Sequence, residues 1–283
     1  MKNKHKHQLP LMNTLTFDFL VILAILFFIP IALVFINSFK SRLFISSMPF
    51  AIPRGEMFVG LSNYIAGLST AGFFKAFLRS VFITLVSVGL ILICTSMTAW
   101  FIARVRNRLT KALYYLFAFS MIVPFQMVMY TMTYVVNALN FDNIIGINFV
   151  YLGFGAGLSV FMFTGFVKSI PLDLEEAAEI DGCTPLQTFF LIIFPVLKPT
   201  TITVAILNAM WIWNDYLLPY LVLGTDNKTV PVAIQIAMQG AYGATDYGGF
   251  MAMLVLAIIP IITFYLFAQR YIISGVISGA VKG

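Results

Sequence analysis

Charge is scarce in this chain. Only 10% of its 283 residues are Asp, Glu, Lys or Arg and 60% are hydrophobic, whereas an ordinary soluble domain is about 25% charged. That balance excludes a soluble globular protein and makes the chain an integral membrane protein. Cysteine is scarcer still. Cys94 falls inside an apolar run and Cys183 in a polar loop, so no disulfide framework can form. Both histidines, His5 and His7, sit in the first seven residues, which leaves no metal-ligand cluster and no HExxH. GxSxG and paired aspartates within an apolar run are also missing, so an intramembrane hydrolase would have no catalytic constellation. Neither GxxxxGK[ST] nor even a Gly-Lys dipeptide occurs. Without that phosphate cradle the chain does not hydrolyse ATP itself.

What the chain has is long uncharged runs. A charge at the bilayer centre costs roughly 2.5–3.5 kcal/mol on insertion scales, so charged positions mark where spans begin and end. The uncharged intervals are 19–39, 80–103, 112–141, 143–167, 199–214 and 247–269. The fifth reaches the ~20 residues needed to cross the bilayer only if it carries Asp215 within it and continues to residue 223. The runs are continuously apolar and do not alternate, which favours helices over barrel strands. The expected fold is all-α and polytopic, with six transmembrane helices.

The opening "MKNKHKH" resembles a signal peptide's start, but the apolar run after it is too long and no AxA-like site follows, so an uncleaved first helix is expected. With the N-terminus inside, the inner segments hold Lys2, Lys4, Lys6, Arg104, Arg106, Arg108, Lys111, Lys168, Lys198, Arg270 and Lys282, eleven of seventeen cations. The positive-inside rule then places both termini in the cytoplasm. The loop "RVRNRLTK" (104–111) is the strongest single indication. A net charge of +6 fits contact with anionic inner-leaflet lipid and is no argument for nucleic acid.

Along the chain this gives a cytoplasmic tail at 1–17, a first transmembrane helix at 18–39 and an extracellular segment at 40–76. A five-helix block at 77–270 follows, with a cytoplasmic loop at 168–198 and a C-terminal tail at 271–283. The outer stretch "MPFAIPRGEMFVGLSNY" predicts ordered turns, and "MQGAYGATDYGG" predicts a mobile loop. Pro30, Pro124 and Pro260 lie within the first, third and sixth helices and predict kinks.

The inner loop 168–198 holds an anomaly. Five of the eleven acids, Asp173, Glu175, Glu176, Glu179 and Asp181, fall within nine residues. Inserting them into hydrocarbon would cost above ~12 kcal/mol, so the loop is cytoplasmic. Asp173 with Glu176 predicts a capped helix start, and Leu174, Ala177, Ala178 and Asp181 share one helical face. Gly182 stands where a left-handed C-cap is needed. Thr184, Pro185 and Gln187 then start a second helix. Two readings of this hairpin stand side by side. It is a solvated connector, or it seats two alanines in a partner's cleft while carboxylates pair with the partner's cations.

"EAAEIDGCTPLQTFFLIIFP" resembles the EAA loop of ABC importer permeases, carried here by Glu176, Ala177, Ala178, Gly182, Ile192 and Pro195, and the resemblance implies ATPase coupling through Glu175, Glu176, Ala177, Ala178, Asp181, Gly182 and Pro195. Phe194 departs from the Leu usual before that proline. "WNDYLLP" at 213–219 looks like the signature of the carbohydrate branch, and "MIVPFQ" with "SGAVKG" resembles its MalG-type subunits. The resemblance, from about Phe77 onward, implies the type I ABC importer permease fold. It also implies a coupling helix docked on a cytoplasmic ATPase, a MalF-like second permease, two ATPase subunits that hold ATP and Mg, an extracellular sugar-binding protein and a carbohydrate substrate. The location implied is the bacterial plasma membrane, and the chain itself is expected to bind no cofactor or metal.

Asp215 lies ~22 Å along the fifth helix, and an ionisable residue at that depth is a functional candidate. The other reading is that Trp211, Trp213 and Asp215 mark the outer interface. Sugar hydroxyls and ring faces suit polar and aromatic groups, which makes Gln126, Tyr130, Trp213, Asn214 and Tyr216 pathway or gate candidates. An ion-coupled secondary transporter is the rival class, although Asp215 is its one candidate coupling charge and no internal repeat is visible.

Overall fold

The computed structural model describes the backbone of residues 8–70, 72–239 and 246–280, and the side chains of 14–69, 72–238 and 246–269. The tail cations Lys2, Lys4, Lys6 and Lys282, both histidines and most of the glycine-rich loop therefore lie outside the described residues. Those described form helices without a single strand, apart from one isolated bridge between Lys40 and Phe58. The chain divides into two compact units, Met1–Phe73 with Ile234–Ile259 and Phe74–Ala233 with Pro260–Gly283.

The first unit opens with α1 (Gln8–Asn37). Helix begins ten residues before the expected start at 18, because the 8–17 stretch holds no breaker beyond Pro10, whose fixed φ suits a first turn. Its Thr14–Asn37 stretch is apolar and faces outward almost throughout, as a lipid-facing span does. The expected turns follow as α2 (Arg42–Ser47), a 3₁₀ turn at Gly55–Met57 and α3 (Ser62–Thr70). Polar side chains tie them together. Fully buried Lys40 donates to the carbonyls of Met48 (2.7 Å) and Pro49 (3.1 Å), and Asn63 donates to those of Ser38 and Lys40.

The second unit follows from α4 (Phe73–Arg104), which starts ahead of the expected residue 80 and carries Lys75 and Arg79 in its first turns. Asn107 and Thr110 form a reciprocal capping box that starts α5 (Arg108–Ser120). The third apolar run is not one helix. It breaks at residues 121–124 into α5 and α6 (Phe125–Ala138), bent by 109°. Pro124 adopts an extended backbone as the N-cap of α6, where it has no amide to lose, and so the expected kink becomes a full break.

Central to this unit is α7 (Gly146–Val167), which packs against α5. Glycines permit the approach: a Cβ on Gly157 would sit 2.6 Å from the Ser120 hydroxyl and 3.0 Å from the Phe117 carbonyl. After the acidic hairpin the fifth apolar run is also broken. Lys198–Asn214 forms a single helix, bent by 78° from Pro185–Val196. It stops at Asn214 and does not continue through Asp215 to 223.

Six helices were expected. Among the described residues four are long and apolar enough to cross a bilayer, and the count reaches six when each bent pair is one span. Val230–Gln239 is a helix that apolar periodicity did not announce, opening with Pro231 in its first turn. The last helix, Tyr247–Ala280, runs on into the stretch expected to be a C-terminal tail. Pro260 lies within it and Pro30 within α1.

Candidate functional site

Capping chemistry builds the acidic hairpin. α8 (Asp173–Ile180) begins one residue earlier than Asp173 as N-cap would require. Leu172 already has helical φ and ψ, so Asp173 lies inside the first turn and makes no cap bond. The acids Asp173, Glu175 and Glu176 still crowd the positive end of the helix, where the macrodipole favours them. The far end behaves as expected. Gly182 has φ +79°, and the amides of Gly182 and Cys183 bond back to the carbonyls of Glu179 (3.0 Å) and Ala178 (2.9 Å). That pair of bonds is a Schellman motif.

The second arm starts as α9 (Pro185–Thr188). The Thr184 hydroxyl accepts from the Gln187 amide, and the Gln187 side chain accepts from the Thr184 amide (2.8 Å). The helix then widens into a π turn at Phe189–Ile193 before α10 (Phe194–Val196). Pro195 explains the widening: it has no amide to bond within α10, and its ring would crowd the carbonyl four residues back. The chain then turns at buried Leu197 into α11 (Lys198–Asn214).

The two alanines do not share one environment. Ala178 is buried where α8 packs on the second arm, whereas Ala177 faces outward. Within the chain, therefore, Ala178 faces the second arm and Ala177 is the one of the pair that faces outward. Beside it Asp173, Glu176, Glu179 and Asp181 are exposed, as is Ile180, 86% accessible at the hairpin tip.

Glu175 has its partners within the chain. Its carboxylate accepts from Arg104 Nε (2.7 Å) and from Trp100 Nε1 (3.0 Å), and Arg104 donates further to the Ile170 carbonyl (3.0 Å). Thus one carboxylate of the cluster holds the hairpin to the end of α4, and the others remain outward. Sequence reasoning used Arg104 only for orientation and missed Trp100, since no local pattern links residues 71 and 75 apart.

The second group of candidates meets at a hinge. Asp215 is extended between α11 and α12 (Leu217–Leu223), and its carboxylate accepts from the Leu217 amide (3.0 Å), the Leu218 amide (3.3 Å) and the Tyr151 hydroxyl (3.2 Å). That is the geometry of an N-cap carboxylate. Trp213 is buried edge-on against Phe77, the Asn214 amide donates to the Met210 carbonyl, and Tyr216 stacks on Tyr220. Gln126 and Tyr130 instead share an exposed face of α6, one turn apart. The hinge set and the α6 pair thus belong to different helices.

Residues 64–278 match the family of the binding-protein-dependent transport system inner membrane component. The chain belongs to that family. It is 38% identical over 263 residues to the probable starch degradation products transport system permease protein AmyC of Thermoanaerobacterium thermosulfurigenes, covering 93% of this chain and 94% of the relative. It is 37% identical to the multiple sugar-binding transport system permease protein MsmG of Streptococcus mutans, covering 91% and 93%. A bacterial ABC transporter for the polysaccharide alginate superposes with a TM-score of 0.76 over 96% of this chain and 99% of that chain. At 21% identity this shows the fold. This permease is therefore a transport subunit and not an enzyme, and the ion-coupled alternative finds no support among its relatives.

Proposed function

We propose that this permease forms half of the transmembrane pathway of an ATP-driven importer for a sugar, most simply an oligosaccharide, in a bacterial plasma membrane. It crosses six times with both termini in the cytoplasm, each bent pair counting as one crossing. The rest of the pathway comes from a second, related permease. Two ATPase subunits carry ATP and Mg, and an extracellular binding protein delivers the sugar.

One observation carries this reading: the acidic hairpin is rigidly made and fixed at its base, yet outward at its tip. A solvated connector needs no ion pair at its root, but a lever does. Movement of Ala177 and Ile180 by an ATPase passes through α8 to Glu175, Arg104 and α4, and through the second arm to α11. Closing the ATPase dimer on ATP draws two such hairpins together and opens the pathway outward, and hydrolysis resets it. Asp215, Trp213, Asn214 and Tyr216 shape the hinge at the far end of α11. Gln126 and Tyr130 present polar and aromatic groups to the cargo.

Cysteine at position 177 or 180, in a chain with Cys94 and Cys183 replaced, is expected to crosslink to the ATPase subunit in membranes. Gly182→Val is expected to abolish uptake while the protein stays inserted. Normal uptake by that variant, or crosslinks that never reach an ATPase, would overturn the proposal.

A further inference from the structure

A basic cavity of about 820 Å³ opens where α4 passes into α5. Arg106, Arg108, Lys111 and Lys168 line it, with Tyr114 and Tyr115 on its wall, and no acid lines it. Arg104 also lines it, but that guanidinium is already engaged by Glu175 in the one ion pair found among the described residues. Lys168 lies 5.1 Å above the Tyr114 ring. Among the described residues the other cations have no carboxylate paired with them.

Helix polarity makes the imbalance sharper. Arg108 and Lys111 occupy the first turn of α5, which holds no acid. Cations belong at the opposite end of a helix, because the N-terminus already carries partial positive charge. A bound anion would meet both the side chains and that terminus.

The same helix then changes character. Its Leu116, Phe119 and Ser120 line a second cavity of about 690 Å³, walled by apolar residues such as Val136, Phe149 and Phe154. Lys111 and Phe119 are eight residues apart, about 12 Å along the axis, within the ~15 Å depth of one leaflet. Tyr115, 61% exposed, lies between them at the level where an aromatic ring suits the membrane interface. A ligand that is anionic at one end and apolar along the other fits this path. A soluble anion or an acidic protein surface would leave the apolar half unexplained.

From these features we infer that α5 carries a binding site for an anionic phospholipid. Arg106, Arg108, Lys111 and Lys168 hold the headgroup phosphate, and an acyl chain lies along Tyr115, Leu116 and Phe119. Cytoplasmic placement of the loop, part of the proposed function, decides only that the inner leaflet supplies the lipid. Because Arg104 shares the cavity wall and grips Glu175, the bound headgroup also sits beside the root of the hairpin.

The test uses the full chain purified with its importer, stripped of lipid in mild detergent. Native mass spectrometry then counts added phosphatidylglycerol, with phosphatidylcholine and inorganic phosphate as parallel probes. The wild-type protein is expected to retain one phosphatidylglycerol at concentrations where phosphatidylcholine leaves. Attraction of roughly fivefold per Lys or Arg near an anionic headgroup implies a loss of about 100-fold in that preference for Arg106→Gln, Arg108→Gln and Lys111→Gln combined. The charge-preserving set Arg106→Lys, Arg108→Lys and Lys111→Arg is expected to keep it. Equal retention of the two lipids by wild-type protein, which needs no variant, overturns the inference. So does displacement of phosphatidylglycerol by inorganic phosphate, or a triple variant that sheds the ATPase while keeping the lipid. Detergent binding is independent of sidedness, so failure here is distinct from failure of the proposed orientation.

Discussion

Gly182 and Glu175 do opposite jobs in the same hairpin. A side chain at Gly182 would find nothing within 4 Å, yet its φ of +79° costs a β-carbon-bearing residue about 1–2 kcal/mol. We expect Gly182→Ala to loosen the turn between the arms without unfolding the permease, seen as faster amide exchange at Gln187 with the bulk melting temperature little changed. Glu175 works by holding. Removing its carboxylate leaves Arg104 Nε and Trp100 Nε1 without their acceptor, at a cost of about 1–3 kcal/mol for charge-assisted bonds. Glu175→Ala is expected to free the hairpin and uncouple ATP turnover from sugar. Glu175→Gln keeps one acceptor for Trp100 and is expected to fall between. Equal behaviour of both variants and wild type in ATPase stimulation would show that the ion pair transmits nothing. Gly182 was legible from sequence because a C-cap is a local event. The partner of Glu175 was not, since pairing over 71 residues depends on how α4 and α8 pack.

At the scale of elements, the same contrast separates caps from spans. The starts at Asn107 and Thr184 are reciprocal boxes within four residues, and the Thr184 start was read correctly. The spans at 112–141 and 199–223 were read as continuous because hydropathy registers what lipid tolerates, while a break needs only one or two residues to leave helical geometry. Pro124 and Asp215 stand at those breaks. If Asp215 serves chiefly to cap α12, Asp215→Asn keeps an acceptor for the Leu217 and Leu218 amides and should retain folding. Asp215→Ala should lose about 0.5–2 kcal/mol. Thermal melting of the purified permease with both variants decides this, and a gate that depends on charge would instead be impaired by Asn as much as by Ala. Glycines in α7 offer a matched pair. Gly157→Ala presses on the Phe117 carbonyl and should cost about 1–3 kcal/mol by separating α5 from α7, whereas Gly153→Ala meets nothing within 4 Å and should be neutral.

Over the whole molecule, charge placement sets orientation, and orientation decides whether the hairpin can meet an ATPase at all. The loop at 104–111 carries four cations and the hairpin five acids, and the Arg104–Glu175 pair puts both at one end of α4. They must therefore share a side of the membrane. Acids contribute little to orientation and a short loop's cations contribute most, so the side we propose is the cytoplasm. Cysteine at 108 or 180, in the background without Cys94 and Cys183, is then expected to react with a membrane-impermeant maleimide only in inverted vesicles. Cysteine at the exposed positions 142 and 225 is expected to react only in intact cells. Labelling at 180 from outside would place the hairpin beyond the reach of any cytoplasmic motor and end the importer mechanism. Labelling at 142 from inside, with 180 still inside, would instead show that neither the bent pair α5–α6 nor α7 crosses, leaving the hairpin's role intact and the span count at four.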